Sequence, residues 1–307
     1  MSSPARSAAS SVASFAWYYR PLEWLLLALS RLPMAVLYKV SYGLYLLLAY
    51  VVWYRRKVVL SNLRNSFPEK TEAAIEELAH QFYRHFADLM VEILKLATTS
   101  QQELRQHISM RNPEVVERHI ARGRTVIILA SHAGNWEWSL ALGTLMFSTG
   151  ADGVYKPLSN PFFEDFMYRL RTHTGAGLVP MRDTLRHMVQ NKDKARPISL
   201  VSDQAAGPED RPYWTTFMHQ EAGFYTSTER LAARFQCPVV HVSILRLGQG
   251  QYELVLKELY DGDAPLPKEG FPITESFVRH LEQDIRAAPA FYLWTHRRWK
   301  HKRPVGQ

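Results

Sequence analysis

The sequence predicts an α/β domain with a central, mostly parallel sheet flanked by helices, preceded by an N-terminal membrane-anchoring helix. Three observations carry this. From Thr125 onward, short apolar runs alternate with helical segments, the pattern of strands joined by crossover helices. Hydrophobic residues make up 47% of the 307 and charged residues 21%, which suits a folded chain and excludes a disordered one. Between Pro21 and Tyr54 the only charges are Glu23, Arg31 and Lys39, and none lies between Val40 and Tyr54.

Residues 1–16 are rich in Ser and Ala and read as loosely ordered. The apolar run that follows, counted from "LPMAVLYK", reaches about 22 residues if Lys39 snorkels, against roughly 20 needed to cross a bilayer core. Of eight Trp and fifteen Tyr, ten fall within residues 17–54, the residue types that gather at a membrane–water interface. "RRK" at 55–57 is the flank expected on the cytosolic side. The run lies too far from residue 1, and lacks the small-residue signature, for a cleaved signal peptide. A spanning helix and an interfacial hairpin both fit. The expected division is therefore residues 1–54 as tail and anchor, and 55–307 as the α/β domain.

Next comes a long amphipathic helix in which Ile75, Leu78, Phe82, Phe86, Leu89, Ile93 and Leu96 alternate spacings of three and four, with Thr71 as N-cap. A second helix is expected from Pro113 to Ala121, closed by Gly123. "TVIILAS", "ADGVY", "GLVPM" and "PISLVS" read as strands, with helices in "NWEWSLALGTLMF", "NPFFEDFMYRLRTH" and "DTLRHMVQN" between them. "STERLAARF" is helical, "CPVVHVSIL" and "QYELVLKEL" form a strand pair around "GQGQ", and "ITESFVRHLEQDIRAA" is a last amphipathic helix. The single Cys237 excludes an internal disulfide or a Cys-based zinc site, suits a reducing, cytosol-facing location, and reads as a buried apolar residue.

The candidate chemistry sits in "VIILASHAGNWEWSLAL", residues 126–142. An aliphatic strand delivers His132 to its carboxyl end, where open α/β sheets place their sites. Gly134 permits a tight turn, and the free amides of the next helix favour developing negative charge. Glu137, five positions after His132, falls in the first turn of that helix. It is expected to fold back on the imidazole and set its tautomer, making a general base. Ser131 sits in no nucleophile elbow and Cys237 reads as buried, so the substrate supplies its own hydroxyl or amine nucleophile. With an activated acyl donor whose thiolate leaves easily, no metal and no cofactor is called for.

"SHAGNWEW" resembles the H-x4-D/E motif of membrane acyltransferases and, as HxGNWE, the late acyltransferases of lipid A biosynthesis. "RRKVVLSNLRNSFPE", "GVYKPLSNP", "VSDQAAG" and "YLWTHRRWKHKRP" are similar to further blocks of that family in the same order. The resemblance implies a glycerolipid-acyltransferase-like fold, with residues 55–307 as the acyltransferase domain. It implies acyl transfer from an acyl-carrier protein, or less often coenzyme A, to a hydroxyl of a membrane glycolipid, with His132 as base and Glu137 its partner. Asn135 in the motif, Lys156 in place of the family's Arg, and Asp203 with Gln204 in the Asp-Gln block become candidate substrate contacts. It also implies a place at the inner membrane, facing the cytosol. The chain departs from the family at "TTFMHQEAGFYTSTERLA", a region expected to shape the substrate pocket.

The net charge of +8 favours an acidic partner. "HRRWKHKR", residues 296–303, carries five Lys/Arg and suits anionic headgroups, a carrier protein's acidic surface or glycolipid phosphates. Arg297 and Arg298 are the residues of this run expected to meet substrate. Nucleic acid has only this cluster and the net charge in its favour, and the anchor argues against it. A lysophospholipid, an aminolipid or a phosphoinositol mannoside as acceptor, or a non-catalytic lipid- or carrier-binding protein, are the alternative readings.

Overall fold

A computed structural model describes residues 17–267 and 270–304; the Ser- and Ala-rich stretch at 1–16 lies outside the described residues. The chain opens with α1 (Arg20–Ser30), α2 (Met34–Leu46, prolonged by a wider turn over Leu47–Val51), α3 (Arg56–Ser66), α4 (Glu72–Lys95) and α5 (Gln101–His107). The sheet is then built from β1 (Ile108–Arg111), α6 (Glu114–Ile120), β2 (Val126–Ala130), α7 (Trp136–Met146), β3 (Asp152–Tyr155), α8 (Pro161–Thr172), β4 (Gly177–Pro180), α9 (Thr184–Gln190) and β5 (Pro197–Val201). A hairpin of β6 (Tyr213–Phe217) and β7 (Gln220–Phe224), α10 (Ser227–Phe235), a second hairpin of β8 (Val239–Gly248) and β9 (Gln251–Tyr260), and α11 (Pro272–Ala287) complete it.

The main sheet has seven strands in the order β1-β9-β8-β2-β5-β3-β4. All its neighbours run parallel except the β8–β9 hairpin. The central strand β2 is buried along its whole length. Ile127 and Leu129 point into one core, and Val126, Ile128 and Ala130 into the other. That is why its sequence is a continuous aliphatic run: a parallel sheet has helices on both faces and no wet side.

α4 forms as its periodicity predicts. Thr71 caps it by accepting from the Ala74 amide at 3.3 Å. Ile75, Leu78, Phe82 and Leu89 are buried, each contributing about 1.5–3 kcal/mol of apolar transfer. The β6–β7 hairpin, by contrast, has no turn signature in the sequence. Its two connecting residues, Met218 and His219, both adopt left-handed φ (49° and 63°), where Asn-Gly is the usual choice. Packing holds the turn instead: Phe217 and Phe224, both buried, meet edge to face at 5.3 Å.

The apolar N-terminal segment lies along the domain. Leu37 and Ser41 on α2 have no exposed surface, and Ala49 further along is buried too. The opposite face presents Val36, Val40, Leu46, Leu47, Tyr50 and Val51 outward. Met34–Val51 is, among the described residues, the one helical stretch long and apolar enough to cross a membrane, and fits a membrane anchor. Ahead of α1, Tyr19 stacks on Phe162 of α8 at 4.9 Å, and Glu23 of α1 pairs with Arg169 at 2.6 Å.

The turn after β2 depends on Gly134, whose φ is +59° and whose added Cβ would lie 2.6 Å from Ile244 Cγ2. Gly134→Ala is expected to destabilise the protein by about 1–3 kcal/mol through backbone strain and overpacking. Thermal unfolding in detergent measures it; an unchanged midpoint would refute this account of the turn.

Candidate active site

β2 and β5 pair in register, with Ala130 opposite Val201. Two residues past these ends stand His132 and Asp203, and the imidazole Nδ1 lies 2.8 Å from Asp203 Oδ1. The backbone around the histidine is pinned from outside the sheet. The Leu293 amide donates to the His132 carbonyl at 3.0 Å, and the Gly134 amide to the Phe291 carbonyl at 2.9 Å. The Trp136 ring meets the imidazole edge to face at 5.0 Å. The side chain of His132 keeps 17% of its surface exposed while that of Asp203 keeps 3%, so the ring is the part a substrate can reach.

Burial alone disfavours the imidazolium, but the charge and hydrogen bond of Asp203, aided by the charge of Glu137, outweigh it and hold the His132 pKa above its ordinary value. Burial likewise opposes the Asp203 carboxylate. Its bonds and charge interaction with His132 prevail and hold its pKa below the usual range. The Gln204 amide nitrogen lies 3.3 Å from His132 Nε2. A tautomer with Nδ1–H donating to Asp203 and a bare Nε2 satisfies both contacts, and it leaves Nε2 as the proton acceptor.

The expected bond between Glu137 and the imidazole is replaced by another. Glu137 is bound by Arg171 of α8, Nε at 2.8 Å and Nη2 at 2.6 Å, a bidentate pair. Asp203 takes the position at the ring that spacing had suggested for Glu137. Asn135, expected to touch substrate, has no exposed surface; Oδ1 caps α7 by accepting from the Trp138 amide at 3.0 Å, and Nδ2 donates to Glu92 at 3.0 Å. Arg298, also expected at the substrate, is only 2% exposed. Its guanidinium lies 4.0 Å from the Phe224 ring centroid and 5.4 Å from that of Phe217. Burial lowers its pKa, while Tyr292 and Asp203 oppose the shift. Gln204 remains at the ring, and Lys156, just past β3, and Arg297 are exposed.

Several residues near the pair were not legible in the sequence. Arg171 lies in a segment read simply as a helix. Buried Tyr292 raises its own phenol pKa through burial and the nearby Asp203 charge. His296 accepts from the Ala205 amide at 3.3 Å, and burial pushes its pKa down to about 4, so this second histidine stays neutral. Nothing in local spacing links these residues to His132, because the sheet edge gathers them from distant segments. A cleft of about 600 Å³ opens at the opposite, amino edge of the strands, lined by Arg124, Asp152, His187 and Arg196. Its arginines already pair with Asp263 and Asp152, and His132 lies across the sheet from it.

Asp203→Asn removes the largest influences that raise the His132 pKa and leaves the burial that lowers it. The imidazole of that variant is expected to titrate below an ordinary histidine, whereas the wild type titrates above one. NMR titration of labelled histidine checks this; an upward or absent shift in the variant would contradict the pairing.

The profile described as bacterial lipid A biosynthesis acyltransferase matches residues 12–301. Over 297 residues the chain is 23% identical to the lipid A biosynthesis lauroyltransferase of Escherichia coli (strain K12), covering 94% of this chain and 92% of that protein. It is 22% identical over 262 residues to the lipid A biosynthesis palmitoleoyltransferase of the same organism, covering 82% and 81% of the two chains. A lipid A biosynthesis acyltransferase of Haemophilus influenzae is 22% identical over 298 residues, covering 92% and 90%. With nearly its whole length inside the matched region and an α/β fold behind it, the chain is a member of the bacterial lipid A biosynthesis acyltransferase family.

Proposed function

We propose that the protein moves a fatty acyl chain from an acyl thioester, presented by an acyl-carrier protein, to a hydroxyl of a lipid A-type glycolipid, with His132 as the general base. The observation that carries this reading is the His132–Asp203 pair at the exposed end of β2. Asp203 holds Nδ1, Nε2 takes the proton of the acceptor hydroxyl, and the oxygen attacks the thioester carbonyl. The tetrahedral oxyanion collapses, the C–S bond breaks, and the imidazolium returns its proton to the departing thiolate. The Trp136 and Glu137 amides, the two at the start of α7 that Asn135 does not take, are assigned to the oxyanion, since a helix N-terminus favours negative charge. Glu137 acts through Arg171, keeping a guanidinium fixed beside the reacting groups. Lys156 and Arg297 are assigned to anionic groups of the acceptor or carrier, and Gln204 to the face of Nε2 where the hydroxyl arrives.

The segment over residues 17–54 is assigned to the inner membrane, with the catalytic domain on the cytosolic face where the carrier protein works. Its inner face is hydrogen-bonded and packed on α4, so it enters the bilayer in the plane of the interface rather than leaving the domain to span it. The exposed Trp24, Tyr50 and Trp53 suit headgroup depth.

His132→Ala is expected to reduce transfer of labelled acyl chain to lipid A precursor by on the order of 10³-fold or more, with the variant still folded. Retained turnover would refute the base assignment. Because the His132 pKa is raised, the rate is expected to climb with pH through a value above that of an ordinary histidine. In sealed, oriented vesicles, N- and C-terminal tags are expected to be cleaved from the same side. Protection of one alone indicates a span.

A further inference from the structure

We propose that Glu92 is a positioning residue that ties the geometry of the His132 turn to the docking of the membrane helix α2. Glu92 stands on α4 with no exposed surface. Its Oε1 accepts from Tyr38 on α2 at 3.1 Å. Its Oε2 accepts from Asn135 at 3.0 Å and from Tyr252 on β9 at 2.7 Å. The Glu92 carbonyl accepts from the Trp138 indole at 2.9 Å. One residue therefore holds the anchor and the first two contacts of α7 at once.

A carboxyl group suits this place because three donors converge on its two oxygens. A glutamine keeps an acceptor for Asn135 and Tyr252 only by turning its NH2 on Tyr38, whose hydroxyl must then accept, so the anchor contact reverses direction and loses its charge. A buried carboxyl group deprived of one donor is left under-bonded, so losing the anchor contact strains the contact to Asn135. Asn135 in turn caps α7 and follows the His132–Gly134 turn directly. A displacement there moves the imidazole against Asp203.

A parallel route lies one helical turn earlier. Asp88, also buried, accepts from Ser41 on α2, from Arg246 at 2.9 Å and from Gln249 at 3.0 Å. The Arg246 guanidinium lies 5.1 Å over the Phe291 ring, and the Phe291 carbonyl receives the Gly134 amide. Glu92 thus faces α2 on one side and Asn135 on the other, while Asp88 joins α2 to the same turn through Arg246 and Phe291. Undocking α2 takes one donor from each. The result is a transferase whose base is set correctly only while the anchor is seated.

This rests on His132 being the base, and the test separates the two claims. Turnover of labelled acyl thioester by protein in phospholipid vesicles is compared for wild type, Tyr38→Phe, Glu92→Gln, their double variant and Thr71→Ala. Thr71→Ala weakens a cap far from the site and serves as the stability control. Tyr38→Phe is expected to lower kcat on the order of 10-fold with KM for the thioester unchanged. The double variant is expected to be no slower than Glu92→Gln alone, since both break one chain of contacts. His132 titration by NMR is expected to shift in Tyr38→Phe and not in Thr71→Ala. Tyr38→Phe with wild-type kcat and an unmoved His132 titration overturns the link, as does a double variant in which the losses multiply. Should wild type itself transfer nothing, the functional reading fails, and the His132 titration alone decides whether the link exists.

Discussion

The register between β2 and β5 is the constraint on which the site depends. Ala130 pairs with Val201, and each strand runs two residues further before its polar residue appears. A slip by one residue would send Asp203 to the other face of the sheet and leave His132 without its acid. The register is held by close packing on both faces: Ile127 and Leu129 fill one core and Val126 and Ile128 the other, so a slip would force each side chain into space shaped for its neighbour. The placement of His132 beside Asp203 is thus a consequence of apolar packing below the edge.

Above the edge the stabilising interactions are polar and mostly buried. Glu92, Asp88, Glu137 and Asp203 are all less than a tenth exposed, and each has a specific donor or cation. Such groups contribute modestly when fully bonded and cost several kcal/mol when one partner is removed. They specify one arrangement of helix ends and turns, where an apolar contact would tolerate several. Arg298 departs from this pattern: its buried guanidinium rests on the face of Phe224, and its three nitrogens have no hydrogen-bond partner among the described residues.

Buried ion pairs cancel, so the net charge of +8 rests on cations outside them. Arg55 donates to the Thr295 carbonyl at 2.9 Å, and Asn62 to the Trp294 and His296 carbonyls. The basic run that follows the anchor is thereby brought beside the basic C-terminal run, at the same edge of the sheet as His132. The exposed aromatics Trp53 and Tyr54 lead directly into this cationic rim.

Much of this was readable from the chain alone. The alternation of apolar runs and helices determined the α/β class, the 3.6-residue period and Thr71 determined α4, and the uncharged aromatic-rich segment marked an apolar helix that fits an anchor. These are local properties, set by propensity, capping and burial pattern over a few turns. The candidate base was legible too, since a polar residue ending a buried strand has few uses. Its acid was not. Glu137 is near in sequence but stands at the second position of α7, where its side chain turns toward Arg171. Asp203 is 71 residues away and becomes a neighbour only through sheet pairing. The same holds for Asn135 and Arg298, polar in the sequence yet enclosed by distant segments. Strand register and helix docking are non-local, and they alone decided which acid meets the histidine and which charges remain exposed.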